Sequence, residues 1–217
     1  MSKLRLSYCK TGKAKYISHL DLMATMNRAL LRSGVELKYS SGFNPHPYMS
    51  VALPLPVGCG SECELMDIAI DGAMGQEDLP LQINPFLPEG IKVYEAYEPS
   101  RKFCEITWLA ISGVLYYDKP VTDLSNRLAD RFDACSIIIS KRTKRGVTDI
   151  DIAPFIRDLT FSSGEVISMT AKISAQNPSI NPDNLMSALE GAYSDLSPDF
   201  ASFIRVGILD EEMKKFF

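Results

Sequence analysis

The two histidines of this chain, His19 and His46, are its candidate general bases. A neutral histidine close to Lys10, Lys13 or Lys15 can remove the proton of a ribose 2′-hydroxyl while the lysine stabilises the phosphorane, which is metal-independent RNA cleavage. His19 lies at the first position of a predicted helix, where the helix dipole favours the neutral imidazole. The simpler interpretation is that His19 starts the helix and hydrogen-bonds the neighbouring loop.

Residues 42–47 form a stiff loop that can hold three side chains ready for binding: Phe43, Asn44 and His46. Gly42 can adopt a positive φ, and the two prolines fix their own φ and push the preceding residues toward extended conformations. A loop restricted in this way loses little entropy on binding, which is what a recognition site requires. The alternative is a rigid connection in which Phe43 fills the core and His46 caps backbone carbonyls.

Basic residues occur in two clusters that suit an RNA backbone. The N-terminal cluster consists of Lys3, Arg5, Lys10, Lys13, Lys15, Arg28 and Arg32. The second cluster is a loop that contains Lys141, Arg142, Lys144 and Arg145. Tyr8, Tyr16 and Phe43 are available to stack on bases, so the pattern favours RNA over DNA or a membrane. Ordinary solvated surface charge is the alternative for both clusters.

The composition is that of a globular protein with a substantial core. The 217 residues are 46% hydrophobic and 23% charged, and the net charge of -4 argues against a generally basic nucleic-acid binder. The charge is uneven along the chain, however. Residues 1–60 carry eight basic and two acidic side chains, whereas residues 61–100 carry one basic and nine acidic side chains. A basic face therefore belongs to residues 1–60.

Several features of the sequence indicate a cytoplasmic protein without a cofactor. No apolar stretch approaches the ~18 residues that span a bilayer, and the N-terminus lacks the apolar segment of a signal peptide. The five cysteines are an odd number with irregular spacing, unlike those of a disulfide-bonded secreted domain. The sequence contains no Walker loop, dinucleotide glycine motif or nucleophile elbow.

The N-terminal half predicts the order strand, helix, strand, strand, helix, strand. Strands are predicted at residues 4–9, 35–39, 62–70 and 91–97, and helices at 18–34 and 77–86. In the first strand, Leu4, Leu6 and Tyr8 alternate with polar residues, which is typical of a strand with one buried face. The first helix has Ser18 as its N-cap and Asp21 as the capping-box partner. This order is that of a ferredoxin-like fold.

A similar order recurs in the C-terminal half. Strands are predicted at residues 106–117, 136–140, 149–161, 166–174 and 203–208, and helices at 121–133 and 182–193. The sequence therefore predicts an α+β protein of two tandem ferredoxin-like (βαββαβ) halves, residues 1–100 and 101–217. This doubled order resembles that of CRISPR repeat-processing endoribonucleases, which supports the RNA-cleavage alternative by analogy of fold.

A series of motifs along the N-terminal half resembles one known family. The motifs are Lys10-Thr-Gly, Ile17-Ser-His-Leu-Asp-Leu-Met23, Arg28-Ala-Leu-Leu-Arg32, Tyr39-Ser-Ser-Gly-Phe-Asn-Pro-His-Pro47 and Leu53-Pro-Leu-Pro-Val-Gly58. They closely resemble the radical-SAM-associated domain of unknown function, which occurs fused behind a radical SAM domain or as a free-standing chain. The match is specific over residues 3–70 and looser at 149–156 and 182–183. At the looser match, Ala153 and Phe155 replace a basic residue and a tyrosine of the family pattern.

The resemblance implies a protein that works with a radical SAM enzyme. The enzyme itself needs three cysteines in a Cys-x3-Cys-x2-Cys arrangement to hold its cluster, and this chain has only Cys59 and Cys63 in a comparable position. Those two cysteines and His46 are too few for a four-ligand zinc site, so no metal is predicted.

We therefore predict a cytoplasmic, non-catalytic accessory protein that binds a tRNA or rRNA and presents it to a separate radical SAM protein, with no DNA or membrane partner. Two alternatives stay open. One is a metal-independent endoribonuclease that uses His19 or His46. The other is a protein-interaction module that docks through the acidic residues 61–100.

Overall fold

The computed structural model describes residues 2–71, 77–118, 122–143 and 146–217. The chain divides into two compact units, Met1–Glu105 and Ile106–Phe217, which we call the N-terminal and C-terminal units. Both units combine short helices with mostly antiparallel strands, so the protein is of the mixed α+β class. Within the described ranges, no helix is both long and apolar enough to cross a membrane.

The N-terminal unit is an antiparallel sheet with a helix packed on one face. Its elements are β1 (Ser2–Lys10), α1 (His19–Arg32), β2 (Met49–Val51), β3 (Gly60–Ile70), α2 (Leu79–Ile83) and β4 (Ile91–Tyr97). The strands lie in the order β4-β1-β3-β2. Alternate apolar residues of β1 and β3, such as Leu6 and Ile68, pack with Met26 and Leu30 of α1 to form the core.

The start of α1 confirms Ser18 as the N-cap, but the Asp21 carboxylate accepts the Ser18 hydroxyl and not the backbone N–H that a capping-box partner binds. Ser18 Oγ accepts the backbone N–H of Asp21 at 3.2 Å and donates its hydroxyl proton to the Asp21 carboxylate at 2.7 Å. The bond from the Asp21 N–H satisfies one of the backbone N–H groups that the start of a helix leaves without a partner. The helix ends at Arg32, and Gly34 follows at φ +80°, a left-handed conformation that favours glycine.

The predicted strand at residues 35–39 does not form. Leu37 and Tyr39 make only isolated bridges, to Ile70 and Pro47 respectively. The short β2 pairs with β3 instead. The reason is that the segments around Lys38 and Tyr48 share the same edge of β3, so neither pairs along its whole length. The backbone N–H of Lys38 donates to Ala69 O, and the backbone N–H of Ala69 donates to Tyr48 O.

The prediction that β1 is buried on one face is also wrong, because both faces are covered. Leu4 and Leu6 face α1, but Arg5 and Ser7 on the other face are only 2% and 3% exposed. Polar residues in an alternating pattern usually face water. In β1 the polar side instead holds a buried ion pair, which is described below.

The C-terminal unit contains an antiparallel sheet and a separate hairpin. Its elements are β5 (Trp108–Tyr116), α3 (Leu124–Phe132), β6 (Ile138–Thr143), β7 (Gly146–Asp151), β8 (Ile156–Ser163), β9 (Ile167–Ser174), α4 (Pro182–Ser187) and β10 (Phe200–Leu209). The sheet has the order β10-β5-β9-β8, and β6 pairs only with β7 among the described strands.

This arrangement departs from the predicted βαββαβ order, because the predicted strand at 149–161 is broken. Asp151 Oδ1 accepts the backbone N–H of Ile137 at 2.8 Å and that of Ala153 at 3.0 Å. Both hydrogen bonds lower the pKa of Asp151, and the bond from Ile137 has the larger effect. The chain then makes a 3-10 turn at Ala153–Phe155 that separates β7 from β8. α4 likewise ends at Ser187, well before the predicted residue 193.

A partly buried tyrosine of the C-terminal unit, Tyr117, makes the stability of the protein depend on pH in the alkaline range. The Tyr117 hydroxyl donates to Leu196 O at 2.8 Å. Burial, followed by the nearby Asp199 carboxylate, raises the pKa of Tyr117 to about 12. An unfolded tyrosine titrates near pH 10. The stabilisation is therefore fully present below pH 10 and is lost as the pH rises from about 10 to about 12.

Between pH 9 and pH 11, wild type should lose about 1 kcal/mol more of its free energy of unfolding than Tyr117→Phe, in which this group is absent. Urea denaturation at the two pH values measures the difference. Equal losses in the two proteins would show that Tyr117 does not carry this pH dependence.

Candidate nucleic-acid interface

The sheet face of the N-terminal unit that lies opposite α1 opens into a groove of about 600 Å³. The polar residues that line it are Lys3, Lys38, His46, Tyr48, Ser50 and Asp67. Ala69, Met49 and Pro47 contribute apolar surface. A cavity of this size and mixed lining is typical of ligand sites in proteins.

The strand register explains why these residues share one face. Lys3 pairs with Ala69 and Arg5 with Asp67, whereas Leu4 pairs with Ile68 on the side of the core. Successive residues of a strand point to opposite faces. Lys3, Asp67 and Ala69 therefore lie on the face away from α1.

The 42–47 loop forms the rim of the groove and is closed by its own hydrogen bonds. The backbone N–H of Ser40 donates to His46 O at 2.9 Å, and the N–H of His46 donates to Ser40 Oγ at 3.1 Å. Gly42 has φ +125°, a conformation that an L side chain rarely adopts. The side chain of Phe43 is fully exposed at the tip, so it does not fill the core. Asn44 is exposed as well.

His46 is held in one orientation by a contact within the loop. Its ring Nδ1 lies 2.8 Å from the carbonyl oxygen of Asn44. Since a carbonyl only accepts, Nδ1 must carry the proton. In the neutral imidazole, Nε2 is then left as an acceptor, which suits either a hydrogen bond to a ligand or proton transfer.

A buried ion pair lies beneath the groove. Arg5 donates to both carboxylate oxygens of Asp67, from Nε at 2.7 Å and from a terminal nitrogen at 3.1 Å. The guanidinium also lies 4.1 Å from the centre of the Phe103 ring. Lys3 Nζ approaches the same carboxylate at 2.9 Å from the solvent side. The groove thus carries two lysines and one carboxylate, and Arg5 binds that carboxylate in a bidentate manner.

Lys10 and Tyr8 do not lie on the surface, contrary to their predicted RNA contacts. The side chains are 1% and 0% exposed. Lys10 Nζ donates to the carbonyl oxygen of Ile17 at 2.6 Å and is 3.4 Å from that of Lys15. Burial lowers the pKa of Lys10, against a smaller opposite effect from Glu64. Its ammonium stabilises the turn that follows β1 rather than facing a phosphate.

The remaining candidates in the N-terminal motifs are accessible. Lys13 is exposed and Lys15 partly exposed on the 3-10 turn Gly12–Tyr16, and Lys15 Nζ lies 5.2 Å from the centre of the exposed Tyr16 ring. His19 is exposed at the start of α1. This turn follows the C-terminal end of β1, whereas Lys3 lies near the other end, about 23 Å away at ~3.3 Å per residue.

Arg28 and Arg32 are exposed on α1. Because α1 covers the opposite face of the sheet, these two arginines do not line the groove. The structure therefore does not join all the predicted N-terminal cations into one surface. Instead the exposed cations lie in three separate places: in the groove, on the turn at the end of β1 and on the outer side of α1.

The second predicted cluster lies in the C-terminal unit. Lys141 Nζ donates to the carbonyl oxygen of Ser179 at 2.6 Å. Arg142 belongs to β6, but the position of its side chain is not described. Lys144 and Arg145 lie outside the described residues. Lys141 and Arg142 thus belong to a strand and not to the predicted loop, and the RNA contacts of this cluster stay predictions.

Lys38, Tyr48 and Ser50 line the groove but were not among the predicted site residues. The sequence does contain one signal for Lys38, since it lies between Leu37 and Tyr39 and so occupies the other face of an alternating segment. Tyr48 and Ser50 follow the proline-rich motif, and only their pairing with β3 places them at the groove.

Within the described part of the chain, no three His, Cys, Asp or Glu side chains lie close enough together to hold a metal ion. A family model described as "Uncharacterized protein conserved in bacteria (DUF2344)" matches residues 3–182. The chain belongs to this family. The matched range of DUF2344 contains the whole groove, the 42–47 loop and α1.

Comparisons with individual proteins add less to the assignment to DUF2344. No curated protein matches this sequence. Among solved structures, the chain is similar to the CRISPR endoribonuclease Cse3 bound to a 19 nt RNA, with 10% identity, a TM-score of 0.22, and coverage of 94% of this chain and 99% of that chain. A TM-score this low carries no argument about fold or function.

Proposed function

We propose that this DUF2344 protein is a non-catalytic, cytoplasmic accessory protein that binds RNA through its N-terminal unit and works with a separate radical SAM enzyme. The RNA is a tRNA or rRNA. The radical SAM partner rests on the sequence resemblance described above. We also propose that the chain derives from two ferredoxin-like halves, the second modified by the β6–β7 hairpin.

The observation that carries the proposal is the fully exposed Phe43 on a hydrogen-bonded loop beside a groove with two lysines. The loop that carries this ring is closed by its own hydrogen bonds, so the ring is accessible for stacking and little further entropy is lost on binding. Aromatic rings stack on unpaired bases irrespective of their identity, and lysines contact the phosphates. The combination suits a single-stranded segment of RNA rather than a duplex.

The RNA part of the proposal is tested by crosslinking the protein in cells and sequencing the RNA recovered with it. Recovery of one defined RNA supports the proposal. Recovery of none contradicts it and favours docking to a protein through residues 61–100. The partner part is tested separately, by copurification of a radical SAM protein from the same cells.

The salt dependence of binding gives a prediction for the lysines at the end of β1. The double variant Lys13→Glu and Lys15→Glu should depend less steeply on salt than wild type. The slope of log affinity against log salt is negative, and its magnitude should fall by about 1.4, because each lost phosphate contact on a single strand contributes roughly 0.7. Fluorescence anisotropy with the recovered RNA at several salt concentrations measures the slope.

Neutralising Glu77 and Asp78, which are exposed acidic residues of the same unit, is the matched control and should change the slope little. An unchanged slope after the double lysine reversal, together with tighter binding after the acidic change, would place the RNA on the opposite surface.

Endoribonuclease activity is the second candidate function. The hydrogen bond from Nδ1 of His46 to Asn44 O leaves Nε2 available to accept a proton in a groove that also contains lysines. If wild type cleaves the recovered RNA in the presence of EDTA and His46→Gln or His19→Gln does not, the protein is catalytic and the accessory function is wrong.

A further inference from the structure

We infer that the groove holds one unstacked nucleotide, with its base against Tyr48 and its phosphate at Lys3 and Lys38. This inference deepens the proposed function and rests on it, because it names the part of the RNA that the N-terminal unit recognises. The chemistry required is that of a nucleoside monophosphate, either free or within an RNA strand.

The backbone arrangement places the two lysines on either side of Ala69. Lys3 pairs with Ala69 across β1 and β3, and the backbone N–H of Lys38 donates to Ala69 O on the other edge of β3. Adjacent backbone segments in a sheet are about 4.8 Å apart, so the two lysine backbones are separated by roughly 10 Å. Both side chains can therefore approach one phosphate above the small Ala69 side chain.

Tyr48 contributes an aromatic side chain to the same groove as these lysines. Tyr48 is 49% exposed and lines the groove with His46. The Tyr48 backbone is fixed on both sides, since its N–H donates to Lys38 O and its carbonyl accepts the N–H of Ala69, each at 2.9 Å. A rigid exposed aromatic residue on a sheet face is how several RNA-binding modules stack an unpaired base.

The size and charge of the groove agree with such a ligand. Its volume of about 600 Å³ lies within the range for small-molecule sites. Lys3 and Lys38 line it together with Asp67, whose carboxylate contacts both Lys3 Nζ, at 2.9 Å, and the buried Arg5. Three cations thus surround one carboxylate, and a phosphate at Lys3 would share the Lys3 ammonium with Asp67. The local charge therefore favours an anion over a cation.

The inference is tested by titrating the full-length protein with AMP and UMP, with adenosine and inorganic phosphate as partial ligands, and by following protein NMR shifts. Both nucleotides should bind, and each more tightly than adenosine or phosphate alone. Tyr48→Leu should weaken nucleotide binding by about 5- to 150-fold, the range expected for loss of one stacking contact. Lys38→Gln should weaken binding of the nucleotides but not of adenosine.

Ser50→Leu provides an independent variant, because Ser50 is exposed and the larger side chain occupies the groove without removing a charge. It should also weaken nucleotide binding, even if Tyr48→Leu fails to fold. Lys92→Gln, at an exposed lysine of β4 outside the groove lining, is the matched charge control and should bind nucleotides as wild type does.

Failure of the nucleotide site and failure of RNA binding give different results. If the recovered RNA binds but neither nucleotide shifts residues of the groove, or if phosphate alone binds as tightly as AMP, this inference is overturned and the proposed function stands. If nucleotides bind in the groove but no RNA does, the RNA-binding function is overturned and the site belongs to a free nucleotide.

Discussion

Replacing Arg5 with methionine is expected to lower the free energy of unfolding by about 3 to 5 kcal/mol, the usual effect of removing one partner of a buried ion pair. Asp67 is only 6% exposed and would lose both hydrogen bonds from the guanidinium. The stacking of Arg5 on Phe103 would be lost as well. Urea denaturation at neutral pH measures the change.

Two further variants decide whether the buried charge causes the loss. Lys3→Gln removes the outer partner of the same carboxylate, but the Lys3 side chain is 60% exposed, so the cost should stay below about 1 kcal/mol. Arg5→Met combined with Asp67→Leu removes both buried charges and should recover at least half of the loss. A loss from Arg5→Met no larger than that from Lys3→Gln would show that the pair contributes little to stability.

Replacing Phe43 and His46 with alanine should weaken binding of the recovered RNA at least fivefold, since one stacking contact alone is worth about 1 to 3 kcal/mol. Both side chains are exposed, so the thermal midpoint should change by only a few degrees. Fluorescence anisotropy and thermal unfolding of the same preparations measure the two effects.

Phe200→Ala is the matched control for the loss of an aromatic ring. Phe200 is 58% exposed and belongs to the C-terminal unit, where it contacts Tyr116. It should leave RNA affinity unchanged. A large loss of stability in the Phe43 and His46 variant, with affinity retained in the refolded protein, would mean that the 42–47 loop has a purely structural role.

Features that depend on residues close together in the sequence could be predicted without the structure. The start of α1 depends on Ser18 and Asp21, which are three residues apart, and the closed 42–47 loop depends on glycine, prolines and a serine close in sequence. Short-range hydrogen bonds and restricted φ angles determine such features, so the sequence by itself determined α1 and indicated a stiff loop.

Only the tertiary structure decided which cations face solvent and which share a surface. Arg5 lies on the polar side of the alternating strand and Lys10 follows the predicted strand, so both were expected on the surface. Arg5 instead donates to Asp67, which is 62 residues away, and Lys10 donates to the carbonyl oxygen of Ile17. The groove likewise forms because Lys38 and Tyr48 share the edge of β3. Charged side chains are buried only when such partners satisfy them, and long-range pairing of backbone segments supplies those partners.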